Sequence, residues 1–113
     1  MENQLAFERF KRKLTIENLW IYILSLLEEE PKYGYEIYAE IRDRYGFKPG
    51  KVTSYLVLYR LVQEGYIVLK EEKKGGLGPA RKYYSVTDKG RQLLTQAQTF
   101  LDEMQAKIFG ERT

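Results

Sequence analysis

The stretch GKVTSYLVLYRLVQEGYIVLK, residues 50–70, changes its period partway along and so decides the fold. From about Lys51 to Glu64 the positions Val52, Tyr55, Leu58, Leu61 and Val62 recur at helical spacing as a buried stripe, and Gly65 closes the run. Beyond Gly65 the pattern loosens into alternation, Ile67 and Leu69 against Val68 and Lys70, as a half-buried strand requires. A helix that yields to a strand at a single glycine raises two questions: what precedes the helix, and what pairs with the strand.

Upstream, a helix beginning at Tyr33 or Gly34 lines one face with Ile37, Tyr38, Ile41 and Tyr45 and stops at Gly46. Phe47, Lys48, Pro49 and Gly50 then read as a turn. Two helices across a short glycine-containing turn form a helix-turn-helix pattern. Earlier still, Thr15 is a suitable N-cap for a helix with Ile16, Leu19, Trp20, Ile23, Leu24 and Leu27 on its apolar face. Glu28, Glu29, Glu30 and Pro31 end that helix, and because carboxylates there oppose the helix dipole the stop is expected to be exposed. Leu5, Ala6, Phe10 and Leu14 mark a short amphipathic helix.

Downstream, Tyr66–Glu72 and Arg81–Val86 make a β-hairpin around the tip Gly75, Gly76, Leu77, Gly78 and Pro79. A long helix follows from Thr87 or Asp88 to about Phe109. The expected fold is mainly α with a small β-hairpin (α+β), a winged helix-turn-helix with flanking N- and C-terminal dimerisation helices. Residues 1–86 would form the winged-helix domain, with its N-terminal helix over 4–14, and residues 87–113 the C-terminal dimerisation helix.

The 113 residues include neither cysteine nor histidine. Disulfides and thiolate metal sites are thereby excluded, and the commonest metal ligand and general base are missing. An enzyme, a metal centre and a cofactor are therefore not expected. No apolar run approaches the ~18 residues of a membrane span, and Met1–Gln4 lack the basic-then-apolar order of a signal peptide. The expectation is a soluble, cytoplasmic chain with no membrane partner.

Charge is unevenly placed. Residues 1–43 carry six Lys/Arg against nine Asp/Glu, residues 44–91 eleven against four, and residues 92–113 two against three. The middle segment, at +7, suits a polyanion, although a solvated basic surface is the plainer reading of charge alone. A helix-turn-helix with a basic hairpin makes double-stranded DNA the expected partner. Lys51, Thr53, Ser54 and Val57 are the groove-facing candidates at the start of the third helix. Lys51 suits a phosphate, and Thr53 and Ser54 suit a base edge, a phosphate or simple helix capping. Lys70, Lys73 and Lys74 on one limb of the hairpin and Arg81 and Lys82 on the other would gain from counterion release. The glycine cluster lacks the Gly-Lys-Ser/Thr ending of a nucleotide-binding loop.

On the last helix Leu93, Ala97, Phe100, Met104 and Ile108 advance by three or four residues, close to a coiled-coil seam, with Leu101 beside them. Pairing with a second copy, helped by Leu5 and Phe10 of the first helix, would bury that stripe; folding back on its own domain is the other possibility. Trp20 and Phe100, with Phe7, Phe10 and Phe109, could line a cavity for a small aromatic effector, or simply belong to the core.

Three segments resemble the PadR family of transcriptional regulators: Tyr33-Gly34-Tyr35-Glu36-Ile37; the spaced set Tyr55, Leu58, Leu61, Glu64, Gly65 and Ile67; and the run from Gly78 to Gly90. The resemblance covers about residues 15–92 and is similar to the compact branch of the family, with a single short C-terminal helix. It implies a DNA-binding homodimer, often a repressor, assembled through its terminal helices. It also implies that Tyr35 sits near a phosphate, that Thr53, Ser54 and Tyr55 face DNA, and that Arg81 and Lys82 serve the wing. The sequence departs from the pattern where the family often carries a glycine shortly before the recognition-helix tyrosine; Val52 stands there instead. Two other functions remain open: a low-specificity architectural DNA-binding protein, and a winged helix used for protein–protein contacts.

Overall fold

The computed structural model describes residues 4–72 and 81–110. In chain order these form α1 (Leu5–Leu14), a 3-10 turn (Ile16–Asn18), α2 (Leu19–Glu29), β1 (Lys32–Tyr33) and α3 (Gly34–Glu40), which widens into a π turn over Ile41–Tyr45. There follow α4 (Lys51–Gln63), β2 (Ile67–Glu72), β3 (Arg81–Val86) and α5 (Asp88–Phe109). The architecture is the winged helix that the period switch implies, with Gly65 at φ 82° making the pivot from α4 to β2. The hairpin tip and the expected DNA contacts Lys73 and Lys74 lie outside the described residues.

The core forms where α2 is crossed by α3, α4 and the sheet. Leu19, Ile23, Leu24, Leu26 and Leu27 of α2 meet Ile37, Ile41, Leu58, Leu61, Ile67 and Val86, all buried. Each such side chain contributes ~1.5–3 kcal/mol by leaving water. Pro49 is fully buried in the turn before α4, and Phe47 packs edge-on against Tyr22 with ring centroids 5.0 Å apart.

Four sequence expectations are corrected or extended by the structure. Thr15 does not cap the following helix; its hydroxyl donates back to the Lys11 carbonyl at 2.7 Å and so finishes α1. The acidic end of α2 is paired rather than merely exposed. Arg44 grips Glu29 with two bonds of 2.7 Å, and Lys32 lies 3.0 Å from Glu40 and 3.7 Å from Glu30. Lys32 is only 5% exposed, and its pKa reflects opposing effects: burial pulls it down, but the Glu40 bond and three carboxylates outweigh that and leave it raised.

The third correction concerns the hairpin, which is part of a three-stranded antiparallel sheet of order β1-β3-β2. Lys32 pairs with Tyr84 and Tyr33 with Tyr83, so the entrance to α3 is tied to the wing. The fourth concerns α4. Its buried residues are Ser54, Leu58 and Leu61, whereas Val52, assigned to the core stripe, is 75% exposed, and Tyr55 is exposed too. Val57, read as groove-facing, packs half-buried against the core.

The start of α5 is bound tightly to the α4–β2 junction. The Thr87 hydroxyl lies 2.8 Å from the Gly65 carbonyl and 3.0 Å from that of Tyr66, and it accepts the Gly90 N–H at 3.1 Å. The Lys89 ammonium donates to the Glu64 carbonyl at 2.6 Å and sits 4.7 Å over the Tyr66 ring. A Cβ at Gly90 would collide with the Tyr66 carbonyl oxygen and approach Val86 Cγ2 to 2.8 Å, so only glycine fits there. Leu93 and Leu94 complete the attachment by packing on the core. The radius of gyration is 16.8 Å, against about 13 Å for a compact chain of this length.

Candidate nucleic-acid interface

The site is built where the first turn of α3, the first turns of α4 and the strand β3 converge. Tyr33, just before α3, donates its backbone N–H to Glu36 at 2.8 Å, satisfying one of the orphan donors of a helix start. Its ring stacks on that of Tyr35 at 5.7 Å with planes 4° apart, and meets Tyr83 edge-on at 6.4 Å. The Arg81 guanidinium lies 5.7 Å over the Tyr33 ring, which holds a flexible cation in a defined place.

Gly34 makes the convergence possible. A Cβ there would stand 2.9 Å from Tyr55 Cε1, so the absence of a side chain lets the α3 entrance lie against the tyrosine of α4. The result is an open groove of about 510 Å³ that brings together the expected residues Tyr35, Tyr55, Arg81 and Lys82. Tyr33, Gly34 and Tyr84 also line it and were not singled out as site residues. Burial pushes the Tyr84 phenol above its ordinary pKa, and neighbouring Tyr55 adds to the shift, so at neutral pH Tyr84 is a neutral hydroxyl.

Lys51 and Thr53 are exposed at the start of α4. Ser54 is not: it is 3% exposed, and its hydroxyl donates to the Gly50 carbonyl at 2.9 Å, closing the first turn of the helix. This bond to a carbonyl one turn back is not a cap, since the N-cap is Gly50 and no side chain caps α4, and the direction of Ser54 into the core removes it from any groove-facing set. Across the hairpin Glu71 pairs in register with Lys82 and Glu72 with Arg81, so the basic limb faces carboxylates that counting lysines and arginines alone overlooks.

The expected dimer residues lie on α1 and α5. Among the described residues none of α1 is buried; Leu5 is 62% and Phe10 58% exposed. On α5, Phe100, Leu101 and Ile108 are exposed and Ala97 and Met104 half-buried, while Leu93 packs on its own domain. Trp20 is half-buried with its indole N–H on Asn18 Oδ1 at 3.2 Å. Among the described residues no helix is long and apolar enough to cross a membrane, and no group of three or more His, Cys, Asp and Glu is placed to hold a metal ion.

A model of the PadR-like family of transcriptional regulators matches residues 23–96. An uncharacterised protein of Lysinibacillus sphaericus is 37% identical over 78 residues, which are 66% of this chain and 69% of that protein. A PadR family transcription regulator from Clostridium difficile R20291 has a similar structure, with a TM-score of 0.66 and 32% identity over 80% of this chain and 97% of that one. The Bacillus subtilis PadR in complex with operator DNA is similar at a TM-score of 0.64 and 28% identity, over 71% of this chain and 46% of that one.

Proposed function

Because the chain belongs to the PadR-like family of transcriptional regulators, we propose that it is a homodimeric repressor that binds double-stranded DNA at specific sequences. The observation that carries DNA binding is the groove where Tyr35 and Tyr55 stand beside Arg81 and Lys82, next to the exposed start of α4. In this reading α4 enters the major groove, where each base pair presents its own donor and acceptor pattern. Lys51, Arg81, Lys82 and the Tyr35 hydroxyl contact phosphates, and Thr53 and Tyr55 reach toward the bases. Binding of operator DNA by the Bacillus subtilis PadR supports the same mode here.

The exposed apolar residues of α1 and α5 support dimerisation. Phe100, Leu101, Met104 and Ile108 of α5, with Ala97 nearer the domain and Leu5 and Phe10 of α1, would close against the same residues of a second copy and remove a large apolar surface from water. The winged domain then ends near residue 86, and the helix beyond it carries assembly. Two copies would set their α4 helices about one DNA turn, roughly 34 Å, apart. A flat aromatic effector would enter between copies near Trp20 and Phe100. Trp20 is the chain's one tryptophan, so its fluorescence reports such a ligand directly.

The decisive experiment selects bound sequences from random DNA with the full chain and measures their affinity by fluorescence anisotropy at several salt concentrations. The expected result is a palindromic sequence whose advantage over unrelated DNA persists at matched salt, and whose presence in a promoter lowers transcription in vitro. Equal affinity for selected and unrelated DNA would leave an architectural protein; no affinity for either would leave a protein-contact module.

A further inference from the structure

The outward ridge of α4 is apolar. Ser54, Leu58 and Leu61 set the direction that faces the core. At 100° per residue the side chains pointing the opposite way are Val52, Leu56, Tyr59 and Gln63. The first three are 75%, 53% and 62% exposed. Val52 and Leu56 are the members of that ridge nearest the helix start, the end that a recognition helix presents to base edges. Neither can give or accept a hydrogen bond. What they can contact in a major groove is the one apolar group displayed there, the C5 methyl of thymine.

Resting on the DNA-binding reading above, we infer that Val52 and Leu56 read thymine through its 5-methyl group, so that sequence choice at two base steps depends on apolar contact rather than hydrogen bonding. Charge favours DNA over a protein as the occupant of this ridge. Lys51 adjoins Val52, Arg81 and Lys82 line the neighbouring groove, and residues 44–91 as a whole carry +7. Thr53 and Arg60 flank the ridge on one side and Tyr55 on the other, so polar groups surround the apolar pair without replacing it. The departure at Val52 thereby acquires a role: a glycine at that position would present no methyl groups to the base.

The test replaces each thymidine of the selected duplex in turn with deoxyuridine, which pairs identically and lacks only the methyl. The unmodified full chain should lose about four-fold in affinity at one or two positions in each half-site, the ratio for burying one methyl at ~0.8 kcal/mol, and nothing elsewhere. Val52→Ser should bind the thymine and uracil duplexes equally at one of those positions, and Leu56→Ala at another. Both side chains are exposed, so the thermal midpoint of each variant should match that of the parent. Full affinity for a duplex with uracil throughout overturns the inference and leaves DNA binding standing; a protein partner on the ridge would give that outcome. A uracil penalty that survives both substitutions also overturns it, by assigning the methyl to other residues. A chain that binds no duplex overturns both readings together.

Discussion

The two halves of α5 share one helix and little else. At its root, Thr87 and Lys89 bond the carbonyls of residues 64–66, Gly90 lies against Tyr66 and Val86, and Leu93 and Leu94 enter the core. Farther along, Phe100, Leu101, Ile108 and Phe109 are 45–67% exposed. Packing of α5 on the winged domain therefore ends at about Leu94, and the rest of the helix leaves an apolar stripe exposed. The root positions the wing, since the carbonyls it binds sit where α4 turns into β2. The far half is where the proposed second copy would pack.

The strongest way to break this contrast is at the root. Gly90→Ala should cost about 3 kcal/mol of unfolding free energy, near the upper end of what overpacking usually costs, because the methyl meets backbone as well as the Val86 side chain. Urea denaturation measures it; an unchanged midpoint would mean that the α5 root can shift away, and the contrast would lose its rigid member. Met104→Glu addresses the other half. A carboxylate set in an apolar seam should weaken the dimer about 100-fold, ~2.7 kcal/mol, while the monomer melts as before. Sedimentation velocity separates the two effects. A parent chain that is already monomeric, or a variant that remains fully dimeric, removes the seam.

Much of this was legible in the sequence, for reasons that also explain the failures. The span Leu5–Leu14, the pivot at Gly65 and the strand Arg81–Val86 each rest on local period or glycine chemistry, and the structure has them at those positions. The face of α4 was misread because Val52, Tyr55, Leu56, Val57 and Tyr59 make most of its circumference look apolar. The core stripe includes Ser54, whose hydroxyl is satisfied by a carbonyl one turn back, and a polar residue gives no periodic signal. Strand β1 is two residues long, too short to have a period. Lys32 is buried only because Glu29, Glu30 and Glu40 converge on it from different elements, which no local pattern encodes. Among the residues that line the groove, Tyr35, Tyr55, Arg81 and Lys82, the proposed contacts, carry a sequence signal, whereas Tyr33 and Tyr84 carry none because their place depends on β1 pairing with β3.

A milder change at the root sharpens the contrast further. Thr87→Ala removes the helix cap and the hydroxyl contacts to Gly65 and Tyr66 but adds no atom that must be accommodated. The expected loss is about 1 kcal/mol, the usual cost of a missing N-cap. Hydrogen exchange should show faster opening of the first turn of α5 and unchanged protection in α2. Equal loosening throughout would make the root an inseparable part of the core rather than a separable anchor.

Acid should separate the anchors of the domain with the smallest effect of the set. The α5 root is held by the Thr87 hydroxyl, the Gly90 N–H and the Lys89 side chain on backbone carbonyls, with no carboxylate among these anchoring contacts. The junction of α2 with the α3 π turn is different, because it depends on the Glu29 carboxylate. The two bonds from Arg44 lower the Glu29 pKa; partial burial opposes them, and the charges of Arg44 and Lys32 lower it further. A depressed carboxylate contributes stability above its unfolded pKa and loses it as pH falls through the folded value, so the loss begins below about 4.5. The pair is solvent-exposed, which keeps the effect small. Titration from pH 5 to 3 with residue-resolved hydrogen exchange should loosen the C-terminal turn of α2 and the π turn before the first turn of α5. If α5 opens first, its anchoring depends on a carboxylate after all, and the distinction between a root held on carbonyls and a carboxylate-held junction fails.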